Sequence, residues 1–158
     1  PKDSQAQKWL EEKFPIGERE EVTVLFARNM GLEGELVVEK FPKLEKIICD
    51  SNSKLTSIKV IGLSKLAIFN ANACKVNKLV ISGCPEIISL NVGNNLLSNT
   101  DFLDDLNPEK LTYLSIHSNK FEKKQNLEFL SRFGNLEELY INSNEKFIGS
   151  LSVRLVIF

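Results

Sequence analysis

The chain has 158 residues, of which 42% are hydrophobic, and a formal net charge of −1 from 20 basic and 21 acidic residues. This length and composition are sufficient for the buried core of one folded domain. The balanced charge excludes a strong overall field that would attract nucleic acid, and no apolar run approaches the roughly 20 residues that cross a bilayer. We therefore expect no nucleic-acid partner and no membrane span.

The N-terminal segment has the pattern of an amphipathic helix. Ala6, Leu10 and Phe14 follow one another at intervals of four residues, so their side chains share one helix face. Pro15 ends the pattern because proline does not continue a helix. We predict a capping helix and linker over residues 1–21 that shields the core of the segment behind it.

The rest of the chain contains an internal repeat of the form L-x-x-L-x-L-x-x-N, in which other aliphatic residues and cysteine also occur. Successive copies start 22, 22, 21, 24 and 25 residues apart. The six copies are Val22, Leu25, Ala27, Met30; Leu44, Ile47, Cys49, Asn52; Leu66, Phe69, Ala71, Cys74; Ile87, Leu90, Val92, Asn95; Leu111, Leu114, Ile116, Asn119; and Leu136, Leu139, Ile141, Asn144.

These copies resemble the leucine-rich-repeat family. The resemblance implies an α/β fold, a leucine-rich-repeat solenoid that forms a right-handed superhelix with a parallel β-sheet on its concave side and six repeats over residues 22–146. The residues agree, because two aliphatics separated by one residue are typical of a strand with one buried face, which only stacked neighbours can cover. The closing Asn is expected to turn inward and to bond main-chain groups at the bend.

The segments that return between strands differ along the chain. Residues 55–60 and 76–81 alternate like strands, whereas the longer connections behind Thr100 and Asn126 have helical spacing. We therefore predict a convex side that is extended at first and then formed by short helices. Residues 147–158 are expected to form a C-terminal cap or a truncated repeat, with a homodimer through this segment as an alternative.

Chemistry beyond binding is not indicated. His117 is the single histidine, and Ser115 on the same strand would lie nearly 7 Å away, too far for a nucleophile and its base. None of the three cysteines has the spacing of a zinc site, and no phosphate or dinucleotide motif occurs. We expect no enzyme activity, no cofactor and no metal, and free thiols typical of a cytoplasmic protein.

The concave face is the candidate binding surface. The repeat predicts which residues point outward there, and they include an apolar patch over the first three strands and two tyrosines at the other end. Asn91 is expected to be exposed among them. The partner-binding residues that we predict are Val24, Phe26, Arg28, Lys46, Ile48, Asp50, Ile68, Asn70, Tyr113, His117 and Tyr140.

The leading hypothesis is a non-catalytic protein-interaction module with a protein partner on this face. One alternative is the ligand-sensing segment of a larger signalling protein, of the kinase or immune-receptor type. Another is a glycan-binding repeat protein, for which asparagines and tyrosines on one face are suitable. The cap or a loop folding over the apolar patch is the alternative without a binding function.

Overall fold

The computed structural model describes residues 3–149 and the strand Val156–Ile157. Two single turns of 3₁₀ helix, Asp101–Leu103 and Leu127–Leu130, lie between strands, and a third follows the N-terminal helix at Ile16–Glu18. In chain order the other elements are α1 (Gln5–Lys13), β1 (Val24–Phe26), β2 (Glu33–Val38), β3 (Lys46–Ile48), β4 (Lys54–Ile61), β5 (Ile68–Asn70), β6 (Lys78–Ser82), β7 (Ser89–Asn91), β8 (Tyr113–Ser115), β9 (Gln125–Asn126), β10 (Glu138–Tyr140), β11 (Phe147–Ile148) and β12 (Val156–Ile157).

The architecture is a parallel β-solenoid of about six turns. One strand from each turn joins a seven-stranded parallel sheet in the order β1-β3-β5-β7-β8-β10-β12, which we call the front sheet. The central apolar residue of each copy stands in register with the next and is completely buried, which confirms the predicted repeat and its spacing. These residues are Leu25, Ile47, Phe69, Leu90, Leu114 and Leu139.

The opposite wall changes character along the solenoid, as the sequence predicts. Strands β2, β4 and β6 form a three-stranded parallel sheet, the back sheet, over the first three turns. Strand β2 was not predicted from the sequence. In the later turns the wall consists of the 3₁₀ turns Asp101–Leu103 and Leu127–Leu130, which are shorter than regular helices. A small parallel pair, β9 and β11, completes this wall, with β9 directly before Leu127–Leu130.

A ladder of inward-turned asparagines closes the bend after the front strands. The Nδ2 of Asn119 donates to the main-chain oxygens of Val92 and Ile116, both at 3.1 Å, while its Oδ1 accepts from the Leu97 N–H at 3.0 Å. Asn52 and Asn95 are buried in equivalent arrangements. The predicted role of this position is confirmed.

The residue before each ladder position adopts a left-handed main-chain conformation. Such a conformation normally costs about 1–2 kcal/mol for a residue that has a side chain. The bend of the solenoid imposes this conformation at every turn. The six residues, with φ between 49° and 62°, are Asn29, Ser51, Ala73, Asn94, Ser118 and Ser143.

Helix α1 lies where its sequence pattern places it and packs beside β2. Leu10 is fully buried in the core. On the outer edge of β2, the Oε1 of Gln5 accepts from Glu33 N at 2.9 Å, and the Oε1 of Gln7 accepts from Val37 N at 2.7 Å. The helix therefore satisfies main-chain groups that an open sheet edge would expose to water.

The far end of the front sheet is occupied by β12. Its two residues pair with β10 in parallel, Val156 opposite Glu138 and Ile157 opposite Leu139. The remainder of the predicted C-terminal cap, residues 150–155 and 158, lies outside the described residues. The predicted domain boundaries and the alternative of a homodimer through this segment stay predictions.

Candidate functional site

The outward side of the front sheet, which we call the front face, is built from the residues on either side of each buried aliphatic. Val24, Lys46, Ile68, Ser89, Tyr113 and Glu138 form one row in register, and Phe26, Ile48, Asn70, Asn91, Ser115 and Tyr140 form the next. Main-chain hydrogen bonds continue the pairing of the strands to a third row, which contains Arg28, Asp50, Asn72, Gly93, His117 and Asn142. The structure thus brings all predicted binding residues onto one face.

An apolar patch occupies the first three strands of this face. Phe26 is 57% exposed and Val24 43% exposed, and the half-buried Ile48 and Ile68 adjoin them. Among the described residues no loop or helix covers Phe26 and Val24. Open apolar side chains of this size are typical of surfaces that bind another molecule.

Cationic side chains lie within and beside the patch. Lys46 stands between Val24 and Ile68 in its row and is exposed. Arg28 forms an ion pair with Asp50, its Nε lying 3.0 Å from a carboxylate oxygen, and its guanidinium carbon lies 5.6 Å from the centre of the Phe26 ring. The charge of Arg28 is therefore compensated on the sheet.

The other end of the front face is aromatic and polar. The rings of Tyr113 and Tyr140 lie 5.5 Å apart, centre to centre, with 42° between their planes. Burial raises the pKa of the Tyr113 hydroxyl above its ordinary value, so it stays protonated. Ser115 stands opposite Tyr140 in the outward row, as its position in the repeat predicts, but it is only 2% exposed.

Between the two ends, the amide side chains bond to one another and to the main chain. The Nδ2 of Asn72 donates to the Oδ1 of Asn91 at 3.0 Å, and that Oδ1 also accepts from Gly93 N at 3.2 Å. Asn70 accepts from Asn72 N at 3.0 Å. The expectation that Asn91 is exposed was wrong, because these bonds hold it half-buried on the sheet.

His117 leans across Gly93, a contact that the sequence analysis missed. A Cβ added to Gly93 would come within 2.5 Å of the His117 Nε2, so the absence of a side chain there makes room for the ring. The His117 Nδ1 lies 3.1 Å from the Oγ of Ser118, the next residue, and not beside Ser115. Among the described residues, no carboxylate hydrogen-bonds the imidazole.

The described residues contain no group of three His, Cys, Asp or Glu side chains that could hold a metal ion. Over the same part of the chain, no helix has the length and apolarity needed to cross a bilayer. Cys49, Cys74 and Cys84 are free and buried, and burial raises the pKa of each thiol above its ordinary value. They are buried thiols of low reactivity.

The open main chain at the edge of the front sheet is a feature that the sequence analysis did not use. Strand β1 ends the sheet, and its residues alternate between bonding β3 and facing away from it. The signal was present, because the first copy of a stacked parallel repeat has no neighbour on one side.

Comparison with protein-family models, with curated protein sequences and with solved structures finds no match for this chain.

Proposed function

We propose that this chain is a leucine-rich-repeat protein that binds a protein partner on its front face and catalyses nothing. The architecture supports the family assignment through the asparagine ladder, the repeat spacing of 21 to 25 residues and the helix α1 at the first turn. The front sheet would form the concave side of the superhelix, and α1 would be its N-terminal cap.

One observation carries the binding function: the apolar patch is open. Phe26 and Val24 are the two large apolar side chains at front-face strand positions that are exposed, whereas the inward-facing Leu25 between them is completely buried. Burying Phe26, Ile48 and Ile68 against a partner would remove apolar surface from water at about 25 cal/mol per Å². Polar and charged groups around the patch would provide selectivity, and Tyr113 and Tyr140 would form a second contact region.

Affinity capture tests this proposal. Tagged wild-type protein and the double variant Phe26→Ser, Ile48→Ser are incubated with extract of the cells that make the protein, and the bound proteins are quantified by mass spectrometry. Ile16→Ser is the matched control, because Ile16 is 60% exposed but lies in the 3₁₀ turn behind α1 and not on the front sheet. We expect the double variant alone to lose specific partners, and recovery of the same proteins by all three would contradict the proposal.

A glycan ligand is a second candidate, favoured by the aromatic and amide end of the front face. Tyr rings stack against the apolar faces of sugars, and the half-buried amides of Asn70 and Asn91 offer donors to hydroxyl groups. Glycan-array binding that survives Phe26→Ser but not Tyr113→Ser would favour this candidate. Absence of glycan binding by the wild-type chain would contradict this candidate.

A further inference from the structure

Half of the main-chain N–H and C=O groups of β1 make no hydrogen bond to another described strand. Ala27 N donates to Ile48 O at 2.7 Å, and Thr23 O accepts from Lys46 N at 3.2 Å, so the odd-numbered residues of this segment face β3. In a parallel sheet, the main-chain N–H and C=O groups of the residues in between point away from that neighbouring strand. The N–H and C=O groups of Val24 and Phe26 therefore point to the open edge of the front sheet.

The outer edge of β2 and the far side of β10 are both occupied by other segments of the chain, whereas the outer edge of β1 is not, within the described residues. Gln5 and Gln7 of α1 bond the outer main chain of β2, and β12 pairs with β10 at the far end of the front sheet. No described residue bonds the outer edge of β1. Proteins normally block such edges, because unpaired main chain recruits another strand.

The side chains at this edge indicate what kind of strand fits. Val24 and Phe26 present apolar surface at the two residues whose main chain is open. Lys46, one strand inward, makes no ion pair within the described part of the chain, whereas Arg28 is neutralised by Asp50. Among the front-face side chains of β1 and β3, apolar surface is therefore combined with one positive charge that has no ion pair within the described residues.

We infer that β1 receives an extended, acidic segment of the partner protein as an additional strand of the front sheet. This inference rests on the proposed function and specifies its binding mode. The main chain of Val24 and Phe26 would bond the added strand, and its apolar side chains would cover theirs.

The distance between strands indicates where an acidic residue of the added strand would lie. Neighbouring strands lie about 4.8 Å apart, so a residue of the added strand opposite Val24 lies about 10 Å from the Lys46 Cα. A glutamate and a lysine side chain together span that separation. A carboxylate at this position reaches the ammonium group over Val24, in surroundings that apolar side chains shield from water, where the attraction is stronger than in bulk solvent.

A peptide probe tests the inference. The probe is a short synthetic peptide that carries a fluorescent label. Its odd positions are threonine, and its even positions are valine, glutamate and valine, so that these three side chains share one face of the added strand. Its affinity for the full chain is measured by fluorescence anisotropy. Val24→Pro removes the outward N–H but keeps an apolar side chain, and proline is tolerated at the first residue of an edge strand. Val24→Thr is its control, because it retains the N–H and the shape. We expect Val24→Pro to weaken binding about fivefold to tenfold, as for one lost hydrogen bond, and Val24→Thr to weaken it less.

Two further measurements do not depend on the proline variant folding. The same peptide methylated on its main-chain nitrogens should lose binding to the wild-type chain, and a peptide with lysine in place of glutamate should bind about tenfold more weakly. In amide exchange by NMR, the Val24 and Phe26 protons should become protected when the unmodified peptide is added. Unchanged exchange at both amides, or equal binding of the methylated peptide, would overturn the inference.

The outcomes also separate this inference from the proposed function. If affinity capture is sensitive to Phe26→Ser, Ile48→Ser while the peptides show no edge binding, the front face binds a partner in another way and only the strand addition fails. If the wild-type chain instead self-associates with concentration in light scattering, and Val24→Pro abolishes this, a second copy occupies the edge and the inference is wrong.

Discussion

Replacing Asn119 by alanine is the sharpest test of the asparagine ladder. The Asn119 side chain is buried. Its Nδ2 donates to the main-chain oxygens of Val92 and Ile116, and its Oδ1 accepts from the N–H of Leu97. The two oxygens keep a second donor after the replacement, because Val92 O also accepts from Asn95 and Ile116 O also accepts from Asn144. The N–H of Leu97 loses the single partner that the structure gives it.

The expected cost is therefore that of one buried N–H left without a partner, about 1–3 kcal/mol of unfolding free energy. For a chain of this size that corresponds to about 2–4 °C in melting temperature per kcal/mol. Asn142→Ala is the matched control, since Asn142 is exposed one turn further on and its side chain has no hydrogen bond within the described residues. It should change stability by no more than about 0.5 kcal/mol.

Urea unfolding, followed by far-UV circular dichroism and by the fluorescence of the single tryptophan, measures both variants. Trp9 lies in α1, so its signal reports on the first turns, while dichroism reports on the whole solenoid. If both probes give Asn119→Ala and Asn142→Ala the same midpoint, the side-chain bonds of Asn119 do not stabilise the fold and the reasoning fails.

Three other changes have expected signs. Ser57→Ala should raise stability by about 1 kcal/mol, because the Ser57 Oγ is buried with no hydrogen-bond partner; a loss in urea melts would mean that the hydroxyl is satisfied. Ala73→Gly should stabilise by up to about 1 kcal/mol because its φ is 57°, while Ala67→Gly, where φ is not positive, should destabilise; equal signs would contradict this. The three buried thiols should react slowly with a thiol reagent in the native state and count as three after unfolding. Because burial raises their pKa, stability should fall as the pH rises above the ordinary thiol pKa, where only the unfolded chain releases these protons; a flat profile would refute it.

The front sheet could be predicted from the sequence because period-two alternation leaves little freedom. Shifting a strand such as β3 by one residue would turn Ile47 to the surface and Lys46 into the core, so its register follows from the residues alone. Strand β2 was missed for the opposite reason. Its sequence begins Glu-Gly-Glu and has no clear alternation, and it is extended because α1 and β4 bond its two edges.

The front face was predicted less completely than the core. The register gives the direction of each side chain, and all eleven residues predicted to point outward lie on the front face. It does not say how far neighbouring side chains bond to and cover one another, which is why Asn91 was expected to be exposed and is half-buried. The position of His117 depends on the empty space at Gly93, a packing property that no strand pattern contains.

Folding and binding rest on different residues of the same strand, because alternate side chains point to opposite sides of the front sheet. In β1 the buried Leu25 contributes to the core, so the strand does not need Val24 and Phe26 to be apolar in order to form. About half of the surface of these two apolar side chains stays in water in the isolated chain, and at an open strand edge such surface promotes unwanted association. A contact that buries them removes this liability, which is why we place the binding function at the first turns and not at the polar centre of the face.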